Sequence, residues 1–599
     1  MCHVTLDASC DTNLSTLSRD RTPRFGLQLQ RQRRRSGDAS KPNVLFIVAD
    51  DLRASLNCYG GPIISPNLDQ LASQSAVFNN AFVQQAVCGP SRISFLTGRR
   101  PDTTKLYDFG FYWRTFAGNY TTLPQHFKEN GYFTASVGKV FHPGVASNET
   151  DDYPYSWSIP PYHASTEKYI YAKVCPSEDG KLHNNVVCPV NVSKMPEHSL
   201  PDLQTTERAL EILANLSAAR KDSSPESPTW DSPFFLAVGF RKPHLNWKYP
   251  EEFRDLYPLE SVEIAPNRQI PAKLPSVAWA DFFTTRLRDD IKAMNLSFPY
   301  GLIPDDYHAL MRQSYYSAST FVDYELGRVL QGLEEAGFAN NTIISFIGDH
   351  GYQLGEHGEW SKCSNFEVAT RVPLIVHVPG MTDTKFPQLK AKFPLRDPFQ
   401  QASKNIKEKS KPTSKLPVGA KRRLKGDIGV AVEELVELVD LFPSLSELAG
   451  LKVPPVCPPQ PFKVDFCAEG NSFAPLVKAH SRQEIKQEFS RWKNATFSQY
   501  PRPGTTPSVY TDLPNLEIIT VMGYSMLTED YHYTEWVGFN GTTIKADWSD
   551  VKARELYIRG VDPLEDNNVA DESEYKDLVL KLSQELQNGW RYSQPVMAN

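Results

Sequence analysis

No apolar run in this 599-residue chain reaches the ~18–20 residues that crossing a bilayer requires, so no membrane span is expected. The first forty residues also lack the apolar core of a secretory signal. They carry Arg31-Gln32-Arg33-Arg34-Arg35 instead. Residues 1–40 are therefore read as a disordered or mis-assigned leader, with a processing site or a nucleic-acid contact as lesser alternatives. A strong charge of one sign is missing too. The net charge of −6 makes whole-chain attraction to a polyanion, nucleic acid included, an unlikely design, and any affinity for an acidic substrate must be local. There are no internal repeats. What is present is ordinary for a globular protein: 40% hydrophobic and 22% charged residues. The length allows several domains, or one large domain with a smaller partner.

Two features point to a secretory route in spite of the leader. N-x-S/T sequons begin at Asn13, Asn119, Asn148, Asn191, Asn215, Asn295, Asn340, Asn494 and Asn540; each is weak alone, but together they are dense. Nine cysteines are the second feature. Cys175 and Cys188 flank a short polar loop and Cys457 and Cys467 a proline-rich one, so two local disulfides are expected. Cys2, Cys10, Cys58, Cys88 and Cys363 are left unassigned.

Residues 43–49 (NVLFIVA), 234–240 (FFLAVGF), 342–347 (TIISFI) and 374–378 (LIVHV) are short, nearly continuous apolar runs, the pattern of strands buried on both faces. Amphipathic helical segments such as 315–336 lie between them. The alternation predicts an α/β fold, a large, mostly parallel sheet sandwiched by helices. In such sheets ligands bind beyond the carboxyl ends of the strands. Three of the four runs end in acids or histidines, potentially at one rim. Residues 404–425 break the pattern, with nine Lys/Arg against the single acid Glu408. They are read as a solvated surface loop inserted in the fold, a basic docking surface being the sharper alternative. Helical periodicity resumes over 430–448. The stretch 454–459 (PPVCPP) reads as a junction, and the rest, Tyr- and Trp-rich and ending in a helix near 575–586, as a smaller C-terminal α+β domain. The organisation expected is thus leader 1–40, catalytic domain 41–453, and smaller domain 454–599.

The chemistry centres on Asp50-Asp51 and Asp349-His350. Seen alone, either pair is a solvated cap. Together they offer three carboxylates, a hard-oxygen site suited to Ca²⁺ or Mg²⁺, with histidine the less usual ligand. Lys139 and His142 stand three apart, on one face if helical. His244 follows Lys242-Pro243, and Lys362 follows Trp360. Such cations are usually structural or solvated one by one; gathered around a metal they would bind a sulfate or phosphate. Pro90 and Gly98 bracket a short helix over 90–97. At its start Cys88 is either a reactive thiolate or a buried structural thiol.

Cys88-Gly89-Pro90-Ser91-Arg92, followed by Leu96-Thr97-Gly98-Arg99, resembles the C-x-P-S-R signature of the type I sulfatases, the formylglycine-dependent, alkaline-phosphatase-like family. The likeness runs from about residue 43 to residue 567. It includes 84–88 (QQAVC), 97–104 (TGRRPDTT), 137–144 (VGKVFHPG), 355–360 (GEHGEW) and 498–503 (SQYPRP). It implies that a formylglycine-generating enzyme oxidises Cys88 to Cα-formylglycine. It further implies that Asp50, Asp51, Asp349, His350 and modified Cys88 ligate Ca²⁺, and that Arg92 and Lys139 hold the formylglycine. Lys139, His244 and Lys362 would hold the sulfate. The hydrated aldehyde attacks sulfur, His244 or Lys362 protonates the departing sugar oxygen, and His142 helps to regenerate the aldehyde. The most similar branch acts in lysosomes on the 2-O-sulfate of terminal iduronate in dermatan and heparan sulfate. Acidic-pH activity is then expected, with His142 and His244 partly protonated near ~6.5. The sequence departs from that branch at Cys363, where tyrosine is expected, and at Arg241, where histidine is; 218–231 looks like an insertion. The alternatives are a sulfatase of other specificity, a phospho- or phosphonate-ester hydrolase, and a Ca²⁺-dependent glycan-binding protein with unmodified Cys88.

Overall fold

The computed structural model describes residues 41–221, 232–383, 392–400, 424–479 and 482–598. The leader, nearly all of the basic loop and most of 218–231 lie outside the described residues. Seven strands form the central sheet: β1 (Asn43–Asp50), β2 (Ala76–Phe82), β3 (Phe133–Gly138), β4 (Phe234–Pro243), β5 (Thr342–Gly348), β6 (Arg371–His377) and β7 (Val430–Glu437). Their order is β7-β2-β6-β5-β1-β4-β3. β1 is central and pairs in parallel with β4 on one side and β5 on the other.

β1 is buried along its whole length because both sheet faces are covered. Leu45, Ile47 and Ala49 enter one core, with Met311, Tyr315 and Phe321 of a long helix, Asp305–Glu335. Val44, Phe46 and Val48 enter the other, with Ile93, Phe95 and Leu96 of α1 (Cys88–Thr97). A buried side chain of this size stabilises by roughly 1.5–3 kcal/mol, so this one strand anchors both layers.

Two sequence expectations are corrected. The run 374–378 belongs to β6, which is antiparallel to both neighbours. No long crossover helix separates it from β5: residues 349–370 hold only the short turns Glu356–Gly358 and Glu367–Thr370, and such a return of the chain gives an antiparallel pair. Residues 430–437 are a strand, and the helix is confined to Leu441–Leu448. The register of β7 on β2 shifts between Val432 and Leu435. That bulge breaks the period of two and leaves apolar residues at a spacing that mimics a helix.

A second, four-stranded antiparallel sheet comprises β8 (Thr496–Arg502), β9 (Val521–Leu527), β10 (Tyr531–Asn540) and β11 (Lys545–Ile558). The helix Lys576–Asn588 lays Val579, Leu582 and Leu586 on its Met526, Tyr533 and Leu556. β8 docks on the segment that enters α1: Ser498 Oγ donates to the Val83 carbonyl at 2.6 Å and the Gln499 N–H to that of Gln84 at 2.8 Å. Cys175 pairs with Cys188 and Cys457 with Cys467, as expected. Cys58, Cys88 and Cys363 are free and buried; Cys2 and Cys10 lie outside the described residues. Among those residues no helix is long and apolar enough to cross a membrane.

Candidate active site

The parallel strands β5, β1, β4 and β3 are neighbours, so their carboxyl ends share one rim. β1 delivers Asp50 and Asp51, β5 Asp349 and His350, β4 His244, and β3 Lys139. Lys139 and His142 lie in a bend after β3, not on a helix. Lys139 donates its N–H to the Gly239 carbonyl at 2.9 Å. A Cβ on Gly239 would stand 2.1 Å from the Lys139 carbonyl, so only glycine admits this approach.

α1 supplies the other half. Gly98 ends it in the left-handed region at φ 65°, as the sequence implied. Arg92, one turn after Cys88, is fully buried. Its Nε donates to Asp349 at 2.9 Å, Nη2 lies 3.4 Å from Asp50, and Nη1 donates to the carbonyls of Lys139 and Val140. The Ser91 hydroxyl donates to the Asp349 carbonyl. One arginine thus ties the ends of β1, β3 and β5 together.

Around Cys88 the contacts are close. Its Sγ is 3.3 Å from Asp50 Oδ1, 3.3 Å from His350 Nε2 and 3.2 Å from Lys362 Nζ. Lys362 reaches Asp51 at 2.6 Å and Lys139 pairs with Asp50. Asp51 adopts φ 64°, held by Tyr315, whose hydroxyl donates to the Asp51 carbonyl at 2.6 Å and accepts the Arg53 N–H at 3.1 Å. Of the five expected ligands, Asp50, Asp51, Cys88 and His350 bring ligand atoms within 4.8 Å of one another. Asp349 stands just outside that group. It accepts the N–H groups of Asp51 and His350, each at 3.0 Å, and lies 3.4 Å from His350 Nε2.

The electrostatics explain why so much charge is tolerated. Burial raises the Asp50 pKa, but Lys139, His244, Arg92 and Lys362 bring it well below the usual carboxylate range. Burial lowers Lys362, and Asp51, Cys88 and Asp50 more than reverse this, keeping the ammonium charged. Burial, with Asp50 adding, pushes the Cys88 thiol up to about 12. Burial thus weighs against a ready thiolate at Cys88 as encoded. Burial and then Lys139 and Arg92 hold His142 well below its ordinary value; burial and then Lys362 do the same to His244. Burial first, and the neighbouring cations after it, thus disfavour the charged form that the expectation of acidic-pH activity assigns to these histidines.

The donor set fits a hard dication. Two carboxylates converge with a third beside them. His350 Nδ1 lies 2.9 Å from the Gly351 carbonyl, which fixes the tautomer and leaves the Nε2 lone pair facing the cluster. An oxygen in place of the Cys88 sulfur would suit such an ion better than a thiol. Lys139, His244 and Lys362 ring the same point and suit a tetrahedral oxyanion. Sequence reasoning missed Tyr315, Ser91 and Gly239. A tyrosine in a long amphipathic helix, or a glycine in a strand, carries no local signal of the loop it supports.

A family model described as sulfatase matches residues 42–451. The chain is 50% identical to iduronate 2-sulfatase of Mus musculus over 542 residues, covering 90% of this chain and 93% of that protein. It is 49% identical to iduronate 2-sulfatase of Homo sapiens, covering 90% and 92%. Among solved structures, a phosphonate monoester hydrolase from Silicibacter pomeroyi superposes with a TM-score of 0.59 at 18% identity, over 92% of this chain and 96% of that one. A 2-O glycosaminoglycan sulfatase gives 0.56 at 18% identity, over 92% and 93%. These structural likenesses bear on the fold alone.

Proposed function

Because the chain belongs to the sulfatase family and is a sulfuric ester hydrolase, we propose that it removes the 2-O-sulfate of terminal iduronate in dermatan and heparan sulfate. The observation that carries the chemistry is the convergence of Asp50, Asp51, His350 and residue 88 between Lys139 and Lys362, with His244 near enough for its charge to act on Asp50. The sugar rests on the relatives named for it, at about half identity over nine-tenths of the chain.

Asp50, Asp51, His350 and residue 88, with Asp349 beside them, would hold Ca²⁺, which supplies positive charge that acidifies a neighbouring hydroxyl. Conversion of Cys88 to formylglycine by a formylglycine-generating enzyme supplies a hydrated aldehyde, with one hydroxyl to attack sulfur and a second whose ionisation restores the carbonyl. Arg92 and Lys139 orient residue 88. Lys139, His244 and Lys362 bind the sulfuryl oxygens and offset the charge that grows on them. Lys362 already holds a proton, and His244 or Lys362 passes one to the departing sugar oxygen. His142, neutral and with Nδ1 unpartnered, is placed to accept a proton in the second half of the cycle.

We read 41–453 as the catalytic domain and 454–599 as the smaller one. Delivery to the lysosome through the secretory pathway fits the two local disulfides. It also fits the sequon asparagines: of the eight described, all but Asn191 are exposed. Two measurements test the proposal. Formylglycine at residue 88 lowers the peptide mass by about 18 Da, a covalent change read directly by mass spectrometry. The purified protein should release sulfate from a 2-O-sulfated iduronate disaccharide and not from a 6-O-sulfated one; the reverse preference would refute the sugar assignment.

A further inference from the structure

A cleft near the carboxyl end of β4 is lined by Arg241, Lys242, Asn246 and Lys248 together with apolar residues such as Val174 and Leu200. Three of these residues carry basic side chains, and two are already committed. Lys248 Nζ donates to the carbonyls of Tyr169, Ile170 and Ala172 at 2.9, 2.8 and 3.1 Å. Lys242 Nζ donates to the carbonyls of His244 and Asn246. Arg241 differs. It is only 9% exposed, its Nε has no partner, and its guanidinium makes no hydrogen bond or ion pair with any described residue.

The acids nearby do not neutralise it. Asp202 accepts the Arg241 backbone N–H and leaves its second oxygen unpartnered. Glu167 feels the Arg241 charge but faces His163, at 3.6 Å. Only Nε is sealed from solvent; the two Nη groups keep access to water and have no protein partner, while Asp202 and Glu167 act on the charge without bonding it. A ligand anion could displace that water and take the fork. The planar fork of a guanidinium matches a carboxylate with two parallel N–H···O bonds, which a histidine at this position could not offer.

The position fits the same substrate. Arg241 lies on β4 three residues before His244, whose N–H donates to the Arg241 carbonyl at 3.0 Å, so the chain turns there and keeps the two residues close. Arg241 is also close enough for its charge to act weakly on both His142 and His244. We propose that Arg241 is a specificity-determining residue that binds the carboxylate of the uronate ring whose sulfate is removed. This inference rests on the functional reading above and deepens it.

The test uses two fluorogenic glycosides: 2-O-sulfated iduronate, whose only other anion is its carboxylate, and the carboxyl methyl ester of that compound. A charge-assisted bidentate contact of 1.5–3 kcal/mol predicts that the wild-type enzyme prefers the free acid by about ten- to hundred-fold in kcat/KM. Arg241→Gln should reduce that preference to within about threefold, and Arg241→Lys, which keeps charge but not the fork, should fall between. The readout is a ratio of two substrates on one preparation, so partial misfolding of a variant cancels. Wild-type discrimination that persists in both variants overturns the proposal alone, and assigns the carboxylate elsewhere. If the wild-type enzyme prefers neither compound, the proposal is also overturned. A complete lack of wild-type turnover of both refutes the underlying functional reading, and the proposal with it. A third arm, a disaccharide with an N-sulfate on the neighbouring sugar, separates the alternative source of a second anion. An Arg241→Gln effect seen there and absent from the monosaccharide would overturn the uronate assignment.

Discussion

Replacing Asp512 by asparagine should make the protein more stable at neutral pH and leave it nearly unchanged at acidic pH. Asp512 and Asp281 meet where the loop before β9 touches the central domain; they are 2% and 0% exposed. Both Asp512 oxygens and Asp281 Oδ2 lack a donor, and the one N–H in reach is that of Phe283, 3.1 Å from Asp281 Oδ1. Two arginines stand close but are spent on carbonyls: Arg502 on those of Val277, Ala278 and Cys363, Arg286 on those of Pro299 and Gly301. Glu359, Cys363 and Tyr500 are the other titratable neighbours, and none offsets the pair. Two buried carboxylates so placed cannot both ionise. Burial first, then Asp281, pushes Asp512 up to about 8 from an unfolded value of 3.8.

The sign follows from linkage. The folded pKa is the higher one, so the folded state holds one more proton between those values. The stabilisation is complete below the unfolded pKa and is lost as pH rises toward the folded one. At 1.36 kcal/mol per pH unit, the wild-type protein loses about 2–3 kcal/mol between pH 5 and pH 7 from this pair. An amide needs no proton, so Asp512→Asn escapes that loss. Urea midpoints of variant and wild type at pH 5, 6 and 7 check it, since groups common to both cancel in the difference. Parallel pH curves would refute the reasoning. What is at stake extends to the site: Arg502 Nη2 holds the Cys363 carbonyl at 2.9 Å, and Lys362 precedes it.

Other expectations are as direct. Cys88→Ala should abolish turnover while circular dichroism and the urea midpoint stay close to wild type; sulfate release at the wild-type rate would sink the role of residue 88. Chelation of Ca²⁺ should lower both activity and melting temperature, because Asp50, Asp51 and Asp349 then repel within one buried site, and added Ca²⁺ should restore both. Tyr315→Phe removes the donor to the Asp51 carbonyl and should cost about 1–3 kcal/mol in urea unfolding, with weaker metal binding. Gly239→Ala should cut kcat severely, since its Cβ would displace the Lys139 backbone, and a wild-type rate would show that approach to be dispensable.

The sequence alone determined the buried strands, because apolar runs without alternation have one stable home, a sheet covered on both faces. It also determined the two local disulfides, through loop length, and the C-terminal end of α1, through Gly98; the helix starts at Cys88, two residues before the start expected at Pro90. The motif around Cys88 pointed to the place where the fold gathers Asp50, Asp51 and His350. Tertiary structure alone decided the rest. The direction of β6 follows from a connection whose path is not local, and the strand at 430–437 from a bulge that disguises its period. The protonation of the site depends on burial and on cations brought from positions 92, 139 and 362, so the pKa values of His142 and His244 fall below the ordinary histidine value. The sequence marks Arg241 only as a departure from a histidine in the branch it resembles. Only burial without a partner sets it apart, and burial is a property of the whole fold.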